Sequence, residues 1–183
     1  MLTTTLRDNL NTAAQVALRQ WHQAYLFMKL QQVQSDAGPL LSRSLAAHRA
    51  GLARRAPSTH FERALAEAVR QLASGHQVTV EYQVPDPDGQ GWLNVDVALP
   101  GLKLALEADG RSHFLRNVEP VQQTGLTKAR DRLLRGWGWH VIPVPLFVWD
   151  GLYTNDASHE DLVAGLGRYL VDHTSFKEYI KSA

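Results

Sequence analysis

The chain has no cysteine among its 183 residues. That excludes a disulfide framework, a thiol nucleophile and every cysteine-based zinc site, and it fits a reducing compartment. No stretch approaches the roughly 18 consecutive apolar residues of a membrane span. The glycine loop GxxxxGK[ST] is missing too, which argues against an NTPase and against a nucleotide cofactor. No Ser-His-Asp order stands out, a weaker exclusion because a triad need not be local in sequence. What remains is an ordinary globular composition, 44% hydrophobic and 20% charged. The expectation is a soluble intracellular protein without membrane association. Mitochondrion, chloroplast and bacterial cytoplasm stay open as compartments, and protein partners are not predicted.

The formal net charge of +1 hides a division. Residues 1–57 carry seven basic side chains (Arg7, Arg19, Lys29, Arg43, Arg49, Arg54, Arg55) against Asp8 and Asp36. The other 126 residues are mildly acidic, with 12 basic and 16 acidic side chains. A basic segment beside an acidic domain suggests an anionic partner, although solvated helix faces explain it equally well.

Three parts are expected: a basic helical segment over 1–57, a mixed domain over 58–175 and a C-terminal tail over 176–183. In the first, Ala14, Ala17, Leu18, Trp21, Tyr25 and Met28 recur at helical spacing, and "SDAGP" separates a second helix. This is either a cap or the end of a helical repeat array. "STHFERALAEAVRQLA" then predicts a helix with Thr59 and Glu62 placed as a capping box, the reading preferred over Glu62 as a site acid. Three strands follow, "VTVEYQV", "WLNVDVAL" and "LKLALEAD", with Pro100-Gly101 read as a two-residue hairpin. A helix from about Thr127, the run "HVIPVPLFVW" as a buried strand and a helix over His159–His173 complete an α/β layer with a mixed central sheet.

Strand parity gathers the acids. With Leu99 facing Leu102, Asp96 lies diagonal to Glu107, and Asp96, Glu107 and Asp109 share one face. Three converging carboxylates need a counter-charge, and a hard cation such as Mg²⁺ suits them. The competing reading is a structural network neutralised by Arg111, Lys128 or a backbone amide. His113 follows closely, either as a phosphate contact or proton donor, or as a brace for the loop. Lys128, Arg132 and Arg135 form a helical stripe able to follow a phosphate backbone, or a solvated face. Trp137, Trp139, Phe147 and Trp149 are expected in the core. Trp92, on the acid side of its strand, is the better candidate for stacking a base.

"LALEADGRSHFLRN" followed by "GLTKARDRLLRGWGWHVIPVPLFVWD" resembles the RAP domain of RNA-processing proteins. Asp96, Glu107, Asp109, Gly110, His113, Phe114, Lys128, Leu133, Leu134, Gly138, Trp139, Val141 and Trp149 carry the resemblance, which runs from about Ser58 to His173. Arg111 stands where that pattern usually has proline. The resemblance implies a restriction-endonuclease-like, PD-(D/E)xK-type α/β fold: a mixed central sheet flanked by helices, preceded here by the α-helical segment. It implies RNA, in single-stranded form, as the partner. It also implies Asp96, Glu107 and Asp109 as ligands of Mg²⁺ or Mn²⁺ in an endoribonuclease, with Lys128 and His113 assisting and Arg111, Lys128, Arg132, Arg135 and Trp92 on the nucleic acid. Where the nuclease pattern has lysine two residues after the glutamate, this chain has Asp109. A catalytically inactive RNA-recognition module is therefore the alternative, and a DNA-repair endonuclease a third.

Overall fold

The computed structural model describes residues 2–31, 38–52, 58–89, 92–115, 121–153 and 156–181. They divide into two compact units, one from residues 1–56 with 85–92 and the other from 57–84 with 93–183.

The first unit is built on α1 (Leu2–Leu30) and α2 (Gly38–Leu52), which pack on each other. Leu26 and Ala47 are buried, together with His22 and Ser44, whose Nδ1 and Oγ lie 3.4 Å apart. Trp21 stacks on Tyr25 one turn later, at 5.7 Å between ring centroids. No helix among the described residues is long and apolar enough to cross a membrane.

The second unit is a mixed α/β fold. Helix α3 (His60–Leu72) leads into a four-stranded sheet of order β1-β2-β3-β4, with β1 Thr79–Pro85, β2 Trp92–Leu99, β3 Leu104–Asp109 and β4 His140–Pro145. β2 and β3 are antiparallel; β3 and β4 are parallel, joined by α4 (Gly125–Gly136). On α3 the capping box is present in both directions: Glu62 N–H donates to Thr59 Oγ1 at 3.1 Å, and Thr59 N–H donates to Glu62 Oε2 at 3.0 Å. Phe61, Ala64, Leu65, Ala68 and Val69 recur at i, i+3, i+4, i+7 and i+8, the spacing of one buried helical stripe. That stripe packs with α6 (His159–His173) and with Val97, Leu99, Leu104 and Leu106 of the sheet to form the main core.

Three boundaries differ from the sequence expectation. The β2–β3 connection is not a two-residue hairpin. Pro100–Leu102 forms a single 3₁₀ turn and Lys103 takes the left-handed conformation, with φ 48°. Two-residue hairpin turns need positive φ at their first loop position, which proline's ring forbids. The register becomes Leu99 opposite Leu104, two residues from the expected pairing, so every side chain keeps its face. Next, β4 stops at Pro145 and Leu146–Leu152 form helix α5. β4 is an edge strand, where Pro143 and Pro145 leave no ladder donor missing. Finally, the tail segment begins with helix α7 (Phe176–Lys181), and Phe176 is buried in the main core.

Candidate functional site

The sheet face opposite α3 and α6 carries the acids. One step along the ladder from Val97 and Leu106 lie Asp96 and Glu107, and Asp109 follows two residues later on the same face. All three are buried, Glu107 and Asp109 to 1% exposure. α4 covers them, turning Thr127, Asp131, Leu133 and Leu134 inward. Its start is set by Thr124, whose Oγ1 accepts from Thr127 N–H. Its end is a Schellman motif: Trp139 N–H bonds Leu134 O and Gly138 N–H bonds Arg135 O, with Gly138 at φ 82°.

Each acid meets a protein partner. Arg130 reaches in from α4 to pair with Glu107 Oε2, and its Nη2 also donates to the Asn94 carbonyl at 2.8 Å. It therefore ties the helix to β2 and β3 together. Asp96 Oδ2 accepts the Ala108 backbone N–H at 2.8 Å. Asp109 Oδ2 accepts from Gln123 Nε2 at 3.1 Å, and its Oδ1 stands 2.9 Å from His113 Nδ1. Thr127 Oγ1 donates to the His113 carbonyl at 3.4 Å. Further along, Thr124 N–H bonds His113 O and Leu115 N–H bonds Gln122 O, both at 2.8 Å. The loop that leaves β3 is thus stitched to the segment that opens α4.

Burial dominates the electrostatics. It pushes the Glu107 carboxyl up to about 8 against the pull of the Arg130 guanidinium, with the charges of Asp96 and Asp109 adding to the rise. Burial thus favours the protonated carboxyl, and the guanidinium offsets part of the cost of the ionised form. Neither Glu107 oxygen has a hydrogen-bond partner among the described residues, and Oε2 meets Arg130 as an ion pair. Burial acts against the charge on Arg130, but Glu107, Asp96 and Asp131 outweigh it and hold the proton more tightly than usual. Burial also raises Asp131, opposed by Arg135.

A divalent cation would need ionised carboxylate oxygens turned to one point. Here Glu107 is held with Arg130, Asp96 with the Ala108 amide, and Asp109 with Gln123 and His113. No three His, Cys, Asp or Glu side chains among the described residues gather so as to hold a metal ion. In this arrangement the residues do not fit Mg²⁺ or Mn²⁺.

The other predicted residues are dispersed. Lys128 and Arg132 are exposed on α4; Lys128, two positions from Arg130, lies about 200° around the helix from it. Arg135 turns back, donating to Val141 O at 3.3 Å and lying 3.8 Å from Asp131. Arg111 is exposed and 3.7 Å from Asp150. The side chain of Trp92 lies outside the described residues. Sequence reasoning missed Arg130, Asn94 and Gln123. For Arg130 a signal existed: it sits three residues after Thr127 and four before Leu134, on the inward stripe of its helix, where a cation needs a buried partner.

Residues 106–162, from within β3 to the start of α6, match the family model of the RAP domain. No solved structure matches the chain.

Proposed function

We propose that this protein is an RNA-binding component of RNA processing that does not itself hydrolyse RNA. The RAP domain match over residues 106–162 supports the RNA partner. The observation that carries the second half is Arg130 within the acidic cluster: it supplies the counter-charge that a metal ion would otherwise supply. The restriction-endonuclease-like architecture belongs to this proposal. It is supported by the sequential β1-β2-β3 run, the α4 crossover to parallel β4, and acids at matching positions of β2 and β3. In this reading the acids keep their ancestral places and brace the end of β3 in place of holding an ion.

An RNA-binding face then needs cations free to meet phosphates, and Lys128 and Arg132 are exposed on α4. Single-stranded RNA should bind with an affinity that falls as salt rises, each neutralised phosphate adding about 0.7 to the slope of log K against log salt. Fluorescence anisotropy of a labelled single-stranded RNA across a salt series tests this. Lys128→Ala and Arg132→Ala are each expected to weaken binding and reduce that slope by about 0.7. A wild-type chain that binds no RNA at low salt would remove the proposal's foundation.

A further inference from the structure

β3 and β4 run parallel and end side by side, Asp109 opposite Pro145. From β3 the chain enters a 3₁₀ turn over Arg111–His113, and from β4 it passes directly into α5. A groove of about 430 Å³ opens between these two exits. Crevices beyond the carboxyl ends of parallel strands are where α/β folds place ligands. The volume lies within the roughly 300–1,000 Å³ of small-ligand sites.

The groove is apolar with a charged rim. Phe147 of α5 forms one wall and is 59% exposed, although its neighbour Trp149 is buried in the core. Leu115 and Val121 form another wall and are 44% and 51% exposed. At the rim Arg111, its side chain 86% exposed, stands 3.7 Å from Asp150. A pair this exposed is weak, so the guanidinium exchanges partners easily.

We propose that this groove holds one unstacked base of a single-stranded RNA, with Phe147 as its stacking surface and Arg111 on the adjoining phosphate. The inference rests on the RNA reading above and gives it a location. A planar apolar body with an anion attached matches an exposed ring beside an exposed guanidinium. Asp150, an acceptor at the rim, favours bases with an exocyclic amino group over uracil. The buried network has a part in this. Asp109 anchors His113 and Gln123, and Gln123 bridges to Phe114, which also lines the groove. Asp109 thereby fixes the loop that carries Arg111.

The test uses the full chain and a fluorescein-labelled pool of 12-nucleotide single-stranded RNAs of random sequence. Phe147→Ala and Phe147→Leu should both weaken binding about tenfold, within the range for loss of one base stack, while Phe147→Tyr stays within about twofold. Arg111→Ala should lower the salt slope by about 0.7. Melting temperatures of each variant establish that it is folded. In parallel, 5-iodocytidine-substituted RNA irradiated on the wild type should cross-link to the peptide carrying Phe147. Wild-type binding left unchanged in Phe147→Ala, or cross-links confined to other peptides, overturns the groove assignment and leaves the RNA reading standing. No binding by the wild type overturns both.

Discussion

Replacing Arg130 by methionine lowers the stability of the chain by about 3–5 kcal/mol above pH 8, and adding Glu107→Gln restores most of it. The single substitution leaves a carboxyl that is 1% exposed without its cation, and the Asn94 carbonyl without its donor. The double substitution replaces a buried charged pair by two neutral groups of similar size, a change that is often close to neutral. Below the wild-type value of about 8 Glu107 is protonated in both proteins and the loss is flat; above it the loss grows with pH, because without the guanidinium's pull the carboxyl of Arg130→Met keeps its proton to a higher pH. Equilibrium urea unfolding of the four variants at pH 6 and pH 8.5 measures this cycle. If Arg130→Met were as stable as the wild type at pH 8.5, the guanidinium would not be the counter-charge that holds the cluster together.

The second large effect is the pH dependence of the wild type. Burial pushes Glu107 up to about 8, above the 4.5 of a free glutamate, so between these values the folded state binds a proton that the unfolded state releases. Stability must therefore fall as pH rises through this window. The loss is complete once pH exceeds the folded value and amounts to on the order of a few kcal/mol. Glu107→Gln removes the term, so the wild type minus Glu107→Gln difference, taken from thermal melts between pH 5 and 9, isolates it from other groups. The difference should move against the wild type with increasing pH. A difference that is flat or of opposite slope would mean that Glu107 is ionised at neutral pH, the state a metal ligand requires.

How much of this was legible in the sequence depended on which physical signal each feature leaves. The grouping of Asp96, Glu107 and Asp109 was legible because strand alternation has period 2, and it survived a mistaken hairpin because the register moved by two residues. The α3 cap and the glycine stop of α4 were legible because both are local backbone chemistry. The end of β4 was not, since a short apolar run such as "PLFVW" satisfies a buried strand and a helix equally. The misplacement of Phe147 followed from that error: reading the whole run as one buried strand put it in the core with Trp149, whereas it is exposed. Arg130 was the costliest omission. Lys128, Arg130, Arg132 and Arg135 are all basic, and only the packing of α4 on the sheet selects the one that enters.

That selection decides what the acids do, and RNA cleavage tests it most directly. End-labelled single-stranded RNA is incubated with the wild type and with Glu107→Gln, each with Mg²⁺, with Mn²⁺ and with chelator. The account predicts binding without cutting in every condition, and affinity indifferent to the chelator. Metal-dependent cutting by the wild type that disappears in Glu107→Gln would contradict it. Arg130 would then have to leave the cluster and Asp96, Glu107 and Asp109 turn to a common ion.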